Sequence, residues 1–171
     1  TEHTYHYTDT KEKREKLIAQ LSQQKAFCFD TETTGLDVHS SDLVGIAFSF
    51  KKGEAFYVPL PKEREEALEI VSEFKPVLEN NKIQKTGQNI KYDIQMVKQY
   101  TINVKGQLFD TMIAHYLLHP EQRHNMTQLA ERYLNYSPVP IEKLIGQKGK
   151  GQRNMRSVAP EKIKEYAAED A

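Results

Sequence analysis

Cysteine is nearly missing from this chain: Cys28 is the only one in 171 residues. That excludes an intramolecular disulfide and with it a secreted disulfide scaffold. An excess of charge of either sign is missing too. The 24 lysines and arginines balance 24 acids, so no overall field draws in nucleic acid. No apolar run approaches the roughly 20 residues of a membrane span, and the start carries no signal-peptide pattern. The expectation is a soluble, cytoplasmic protein with no membrane partner. Internal repeats and low-complexity tracts are absent as well. A single shift in composition occurs at KLIGQKGKGQRNMR, 143 to 156, where Lys143, Lys148, Lys150, Arg153 and Arg156 stand without an acid. Its glycines mark a loop that either touches phosphates or is merely solvated.

Against that neutral background four carboxylates stand out. Asp30 and Glu32 lie two apart at the end of KAFCFD, an apolar run that reads as a buried strand. At that spacing both leave the strand on one face. Asn89 and Asp93 are four apart in QNIKYDIQMVKQY, where Ile90, Ile94 and Val97 recur with helical period, so the two polar side chains are expected on one helix face. Tyr166 and Asp170 repeat that spacing in PEKIKEYAAED. One strand and two helices thus converge four carboxylates and a phenol on one pocket. Oxygen donors without a thiolate or a histidine cluster favour Mg²⁺ or Mn²⁺ over zinc. Two such ions roughly 3.5 to 4 Å apart stabilise both the attacking and the leaving oxygen of a displacement at phosphorus. His115 and His119 share a helical spacing, but two ligands without a third do not make a zinc site. Asp110 reads as a helix N-cap, Glu131 and Arg132 as residues of a solvated helix face, and Cys28 as a small core residue.

The pass along the chain gives one α/β unit. TYHYTD reads as a short strand, and KEKREKLIAQLSQ as a helix behind a charged first turn. Strands at 25 to 30, 42 to 50 and 54 to 60 should form an antiparallel meander. A helix over 63 to 80, interrupted near Pro76, leads to a short strand at IQKTG. The Asn89 helix, a strand near VKGQLF, and helices near 110 to 118, 126 to 135 and 160 to 171 follow. Mixed strands with alternating helices imply a central sheet covered on both faces.

FDTETTGLD at 29 to 37, GQNIKYD at 87 to 93, FDTMIAHYLL at 109 to 118, RHNMTQLAERYL at 123 to 134 and EYAAEDA at 165 to 171 occur in that order. Together they resemble the proofreading 3′→5′ exonuclease domain of family A DNA polymerases, the bacterial DNA polymerase I type, within the DEDD exonuclease superfamily. The likeness runs from Lys25 to the end and implies a ribonuclease H-like fold. It also implies a role for each motif residue. Asp30 bridges two Mg²⁺ or Mn²⁺ ions, Glu32 and Asp170 complete the tighter site, and Asp93 holds the second ion. Tyr166 orients the attacking water, which places the chain in the tyrosine branch; a histidine-branch enzyme would carry its histidine where Glu165 stands. Leu36 wedges between the last two bases and Ile141 packs on the terminal base. Gln88, Asn89, Tyr92 and Arg123 meet sugar and phosphates, and Thr31 and Thr33 beside Glu32 join the substrate contacts. Leu36 as a turn anchor and Tyr92 as a half-core residue are the plainer readings.

The activity so implied is release of 5′-mononucleotides from a single-stranded or frayed 3′ DNA end, in a bacterial, nucleoid-associated protein whose partner is the polymerase domain of the same chain. The sequence lacks an initiator methionine and stops one residue after Asp170, where a helix should continue. It is therefore expected to be a domain, 1 to 171, of a longer polypeptide, with residues 1 to 24 as an N-terminal strand and helix. Two alternatives stay open: an exoribonuclease of the ribonuclease D kind, which shares these motifs, and a non-catalytic strand-binding or structural module. Retention of all four carboxylates argues against the second.

Overall fold

The structure, a computed structural model, describes residues 3–149 and 151–171. Lys150 of the basic stretch lies outside them. Six strands form one mixed sheet: β1 (Thr4–Tyr7), β2 (Ala26–Thr33), β3 (Leu43–Lys51), β4 (Glu54–Pro59), β5 (Gln84–Gly87) and β6 (Leu108–Asp110), in the order β1-β4-β3-β2-β5-β6. The meander is as expected, with β2–β3 and β3–β4 antiparallel, while β1, β5 and β6 add in parallel. The interior strand β3 is buried from Leu43 to Phe48, as a strand covered on both faces must be.

Among the described residues there are eight α-helices. On one face α1 (Lys11–Ser22), α2 (Arg64–Glu73), α3 (Lys75–Leu78) and α4 (Ile90–Lys98) supply Leu17, Leu21, Val71, Leu78, Met96 and Val97 to a core with Phe29 and Phe48 of the sheet. On the other, α7 (Glu142–Ile145) and α8 (Pro160–Asp170) set Leu144, Ile163 and Ala167 against Val44, Ala47 and Tyr57. At the β6 edge of the sheet stands α5 (Thr111–Leu118), and α6 (Met126–Leu129) follows it along the chain. No helix among the described residues is long and apolar enough to cross a membrane.

Two buried cations hold these layers. Arg14 of α1 reaches Glu73 of α2 with Nε and Nη2 at 2.7 and 3.0 Å, a forked pair that joins two helices. Lys85 of β5 is fully buried and donates from Nζ to the carbonyls of Asn80, Ile83 and Lys105 at 2.5, 2.9 and 2.7 Å. Burial lowers its pKa to about 8. Three acceptors match the three protons of an ammonium, so we take it as charged at neutral pH.

Four element boundaries differ from the sequence reading. β2 runs on to Thr33, so Asp30 and Glu32 lie within the strand, held there by pairing with β3. β6 covers only Leu108–Asp110, the part that pairs with β5. The helix expected over 126 to 135 changes at Ala130 to a π turn, Ala130–Leu134, and ends on Asn135 in the left-handed region, φ 52°. The basic stretch is not wholly loop: it contains most of α7 and a 3₁₀ turn at Met155–Ser157. Arg156 there donates to the carbonyls of Leu60 and Leu43 at 3.1 and 2.5 Å, pinning the segment to the sheet instead of facing solvent.

Candidate active site

Asp30 and Glu32 leave β2 on one face, opposite Ala47 and Gly45 of β3. Both partners are small for a reason visible on that face. A Cβ on Gly45 would stand 2.2 Å from the Tyr57 hydroxyl, and α8 presses fully buried Ala167 toward Ala47. Small residues on strand and helix allow a close approach, and one helical turn spaces Tyr166 and Asp170 along the helix face toward the β2 carboxylates. The pair's electrostatic neighbours are those carboxylates: Asp170 acts on Glu32 and Asp30, and both act on Tyr166.

Asp93 arrives from α4. It is buried, and its Oδ1 accepts from the backbone N–H of Thr31 at 2.9 Å and from its hydroxyl at 2.6 Å. The start of α4 is fixed from elsewhere. Asp110 accepts from the N–H groups of Asn89 and Ile90 at 3.1 and 3.0 Å, and from those of Met112 and Ile113 at 2.9 and 3.2 Å. One carboxylate thus caps α4 and α5 together, beyond the single cap expected of it.

Burial raises all four acids. Asp30 is pushed well up by burial, then by Asp93, Glu32 and Asp170. Glu32 rises to about 8 by burial, then by Asp170 and Asp93. Asp93 and Asp170 each rise to about 6, chiefly by burial, although hydrogen bonds from Thr31 and Tyr166 pull the other way. No lysine or arginine is among the groups acting on them. Buried like charges without a compensating cation fit a site for hard divalent ions. Among the described residues, no three acid, histidine or cysteine side chains already close on one point. Tyr166 is raised beyond its ordinary value by burial and then by Asp170, so it remains a protonated phenol at neutral pH. Cys28, on the same face, is pushed to about 12 by burial and by Asp30 and Asp93, which keeps it a thiol and no nucleophile.

The expected substrate contacts separate into two groups. Leu36 is 91% exposed, so it anchors no turn. The loop is instead held by Tyr92 and Thr33: the Tyr92 hydroxyl donates to Gly35 O at 2.7 Å, and Thr33 Oγ1 lies 2.7 Å from that oxygen and 2.8 Å from Tyr92 Oη. Ile141, Asn89 and Arg123 are also exposed. The other contacts are already engaged within the protein. Thr31 holds Asp93, Thr33 and Tyr92 hold the Leu36 loop, and Tyr92 is part of the core, as its plainer reading had it. Gln88 donates to His124 O at 2.6 Å and accepts from Thr111 Oγ1 at 2.5 Å. Asn89 does not share a helix face with Asp93: it precedes α4 in the left-handed region, φ 55°, with its side chain outside the helix.

A third histidine was missed. His124 lies with Nδ1 2.6 Å from Nδ1 of His115, and the His119 ring is tilted against that of His115 with centroids 5.2 Å apart. The sequence signal was its place nine residues after His115, across a turn whose geometry spacing alone does not give. The two near nitrogens are in hydrogen-bond contact, and the trio is not arranged to hold a metal.

Residues 5–171 match the family described as 3′-5′ exonuclease. DNA polymerase I of Pseudomonas aeruginosa is 37% identical over 163 residues, 90% of this chain and 18% of that protein. DNA polymerase I of Borreliella burgdorferi is 34% identical over 171 residues, 98% of this chain and again 18% of that protein. The chain therefore spans about a fifth of the length of these relatives. Among solved structures, Brucella melitensis NrnC superposes with a TM-score of 0.71 at 22% identity, covering 99% of this chain and 75% of that one. The same protein with bound Mg²⁺ gives 0.69 at 21%, covering 100% and 75%. The catalytic core of RRP6 from Trypanosoma brucei gives 0.73 at 20%, covering 100% and 46%. These likenesses show the fold, a ribonuclease H-like mixed sheet with helices on both faces.

Proposed function

Because the chain belongs to the family of 3′-5′ exonuclease domains found in DNA polymerase I, we propose that it removes 5′-mononucleotides from the 3′ end of single-stranded or frayed DNA, as the proofreading module of a longer bacterial polymerase chain. The polymerase domain would be its partner in cis and the nucleoid-bearing cytoplasm its place of work. One observation supports this reading: burial and neighbouring acids raise Asp30, Glu32, Asp93 and Asp170 together, beside a protonated Tyr166, with no lysine or arginine among the described residues acting on them.

Asp30, Glu32, Asp93 and Asp170 would hold Mg²⁺ or Mn²⁺, two ions on the family pattern. When bound, the ions supply positive charge to the phosphate and the departing oxygen and make a water nucleophilic near neutral pH. The protein's part is positioning. Thr31 fixes Asp93 with two hydrogen bonds, the strand fixes Asp30 and Glu32, and Asp170 shares its helix face with Tyr166. The Tyr166 hydroxyl, unable to act as a base while its pKa stands so high, orients the water. Leu36, held out by Tyr92 and Thr33, separates the terminal base from its neighbour, while Ile141, Asn89 and Arg123 meet the frayed strand. Contacts of this sort are indifferent to base sequence.

The test is hydrolysis of 5′-labelled single-stranded DNA and RNA of one sequence, by the wild-type chain and by Asp30→Ala, with Mn²⁺ and with chelator. A DNA ladder shortening from the 3′ end, absent in the variant and in chelator, is expected. Preference for RNA would move the reading to a ribonuclease D-like enzyme. Binding without cleavage by folded protein would leave a strand-binding module.

A further inference from the structure

Away from the carboxylate pocket, the segment from His115 to Arg132 encloses a second cavity of about 380 Å³, lined by His115, Gln122, Arg123, Gln128, Leu129 and Arg132. None of Asp30, Glu32, Asp93, Tyr166 or Asp170 lines it. Its walls carry two guanidiniums, two amides and an imidazole, and the one acid beside it, Glu121, accepts from Gln122 Nε2 at 3.0 Å. Arg132 donates to the side-chain oxygen of Gln122. Neither arginine forms an ion pair among the described residues.

The imidazole gives the independent indication of a ligand. His115 is 6% exposed, its Nδ1 is engaged with His124, and its Nε2 is buried with no hydrogen-bond partner. A buried polar atom left alone costs stability, and such an atom in a native protein calls for a ligand or ordered solvent. Burial, His124, His119 and Arg132 hold the ring below its ordinary pKa against the opposing pull of Glu121, which favours the neutral imidazole. In the tautomer where His124 donates at Nδ1, His115 carries its proton on Nε2 and presents a donor. Donors and guanidiniums around one hollow repel a cation and suit phosphate oxygens.

We propose that this cavity is a phosphate subsite that takes a backbone phosphate of the bound strand upstream of its two terminal nucleotides, with His115 Nε2, Arg132 and Gln128 as donors. The proposal rests on the exonuclease reading and extends it. The cavity shares a scaffold with the catalytic helix, because Gln88, two residues before α4, is bound to the His124 carbonyl beside the His115 ring. Arg123, which the exonuclease reading sets on the frayed strand, itself lines the hollow, so a strand held by Arg123 lies beside it. Arg132 is exposed, so its replacement leaves the fold intact.

The experiment measures steady-state hydrolysis of oligothymidylates of two to ten nucleotides in Mn²⁺ by the wild-type chain, Arg132→Gln and Gln128→Ala, at several salt concentrations, with thymidine monophosphate as a competing ligand. For wild type, KM falls with length and then levels. In Arg132→Gln that fall is lost, raising KM on the longest substrates about tenfold, with kcat and dinucleotide hydrolysis unchanged. The slope of log kcat/KM against log salt drops by about 0.7, the share of one single-strand phosphate. Gln128→Ala follows in the same direction with a smaller change. Equal behaviour of variant and wild type at every length overturns the subsite, as does an equal loss on the dinucleotide. A change confined to inhibition by the monophosphate overturns the strand assignment, since the cavity would then hold a free nucleotide. In each of these cases the exonuclease reading stands. A wild-type chain that hydrolyses no length removes both.

Discussion

Tyr166 and Leu36 carry opposite kinds of risk at the scale of single residues. Tyr166 packs against the small core of the α8 face, so Tyr166→Phe keeps the ring and removes only the hydroxyl. We expect kcat on single-stranded DNA to fall by about 10- to 100-fold, the loss typical of a misplaced reactant, with KM and thermal midpoint unchanged. A drop in midpoint would assign the hydroxyl a structural task instead. Leu36 has almost no contact to lose, being 91% exposed. Leu36→Ala should shift stability by less than about 0.5 kcal/mol while raising KM on single strands, and a urea titration beside a kinetic series reads both. The shared faces of Asp30 with Glu32 and of Tyr166 with Asp170 were legible in the sequence because period 2 on a strand and period 4 on a helix fix faces locally, whereas the face expected for Asn89 with Asp93 did not form. Thr31, Thr33, Tyr92 and Gln88 were read as substrate contacts, and their hydrogen bonds within the protein were not legible, because the partners lie 23 to 62 residues away.

Between elements, the junction at Asp110 matters most. Its carboxylate serves four N–H groups at the starts of α4 and α5, and caps are worth about 1 kcal/mol each. Asp110→Ala should therefore cost about 2 kcal/mol in a urea titration. It should also depress hydrolysis beyond what stability explains, because α4 carries Asp93. Asp110→Asn, which keeps an acceptor oxygen, should recover part of both losses. Sequence reading found the cap of α5 from its neighbours, but the cap of α4 comes from 21 residues away and has no local mark. The same limit explains Asn89, whose left-handed backbone broke an expected helical face, and Arg156, whose partners Leu60 and Leu43 lie 96 and 113 residues away. The π turn at Ala130–Leu134 escaped for another reason: LAERYL has the composition of an α-helix, and a one-residue change of hydrogen-bond register leaves no mark in composition.

For the whole molecule, the carboxylate cluster is a source of instability that bound cations would relieve. Each acid has a folded pKa above its unfolded value, which lies near ~4. Such a group contributes stability that is fully present below the unfolded pKa and lost as pH rises through the folded one. Without metal, the chain should thus lose stability as pH rises from about 4 through about 6, where Asp93 and Asp170 ionise, to about 8 for Glu32. Mg²⁺ or Mn²⁺ should flatten that slope by binding the folded form. Glu32→Gln should raise the metal-free midpoint at pH 8 while abolishing hydrolysis. Thermal melts across pH with chelator and with Mn²⁺ check all three, and a metal-free stability that climbs toward pH 8 would contradict the electrostatic account. The antiparallel meander and the two covered faces followed from the run of strands and helices, since each apolar face in the sequence needs a layer to lie on, but the place of β1 beside β4 carried no local mark.

Cys28 gives this molecule a chemical clock. It is the single thiol, it sits in β2 two residues before Asp30, and its high pKa leaves almost no thiolate in the folded chain. Cys28 is half-buried, so a maleimide or iodoacetamide reagent reacts slowly with the folded chain and faster when the strand parts from its neighbours. The modification rate above that slow baseline, read by mass spectrometry as one added group per chain, reports how often the centre of the sheet opens. That number is accessible without catalysis, without substrate and without a folding transition.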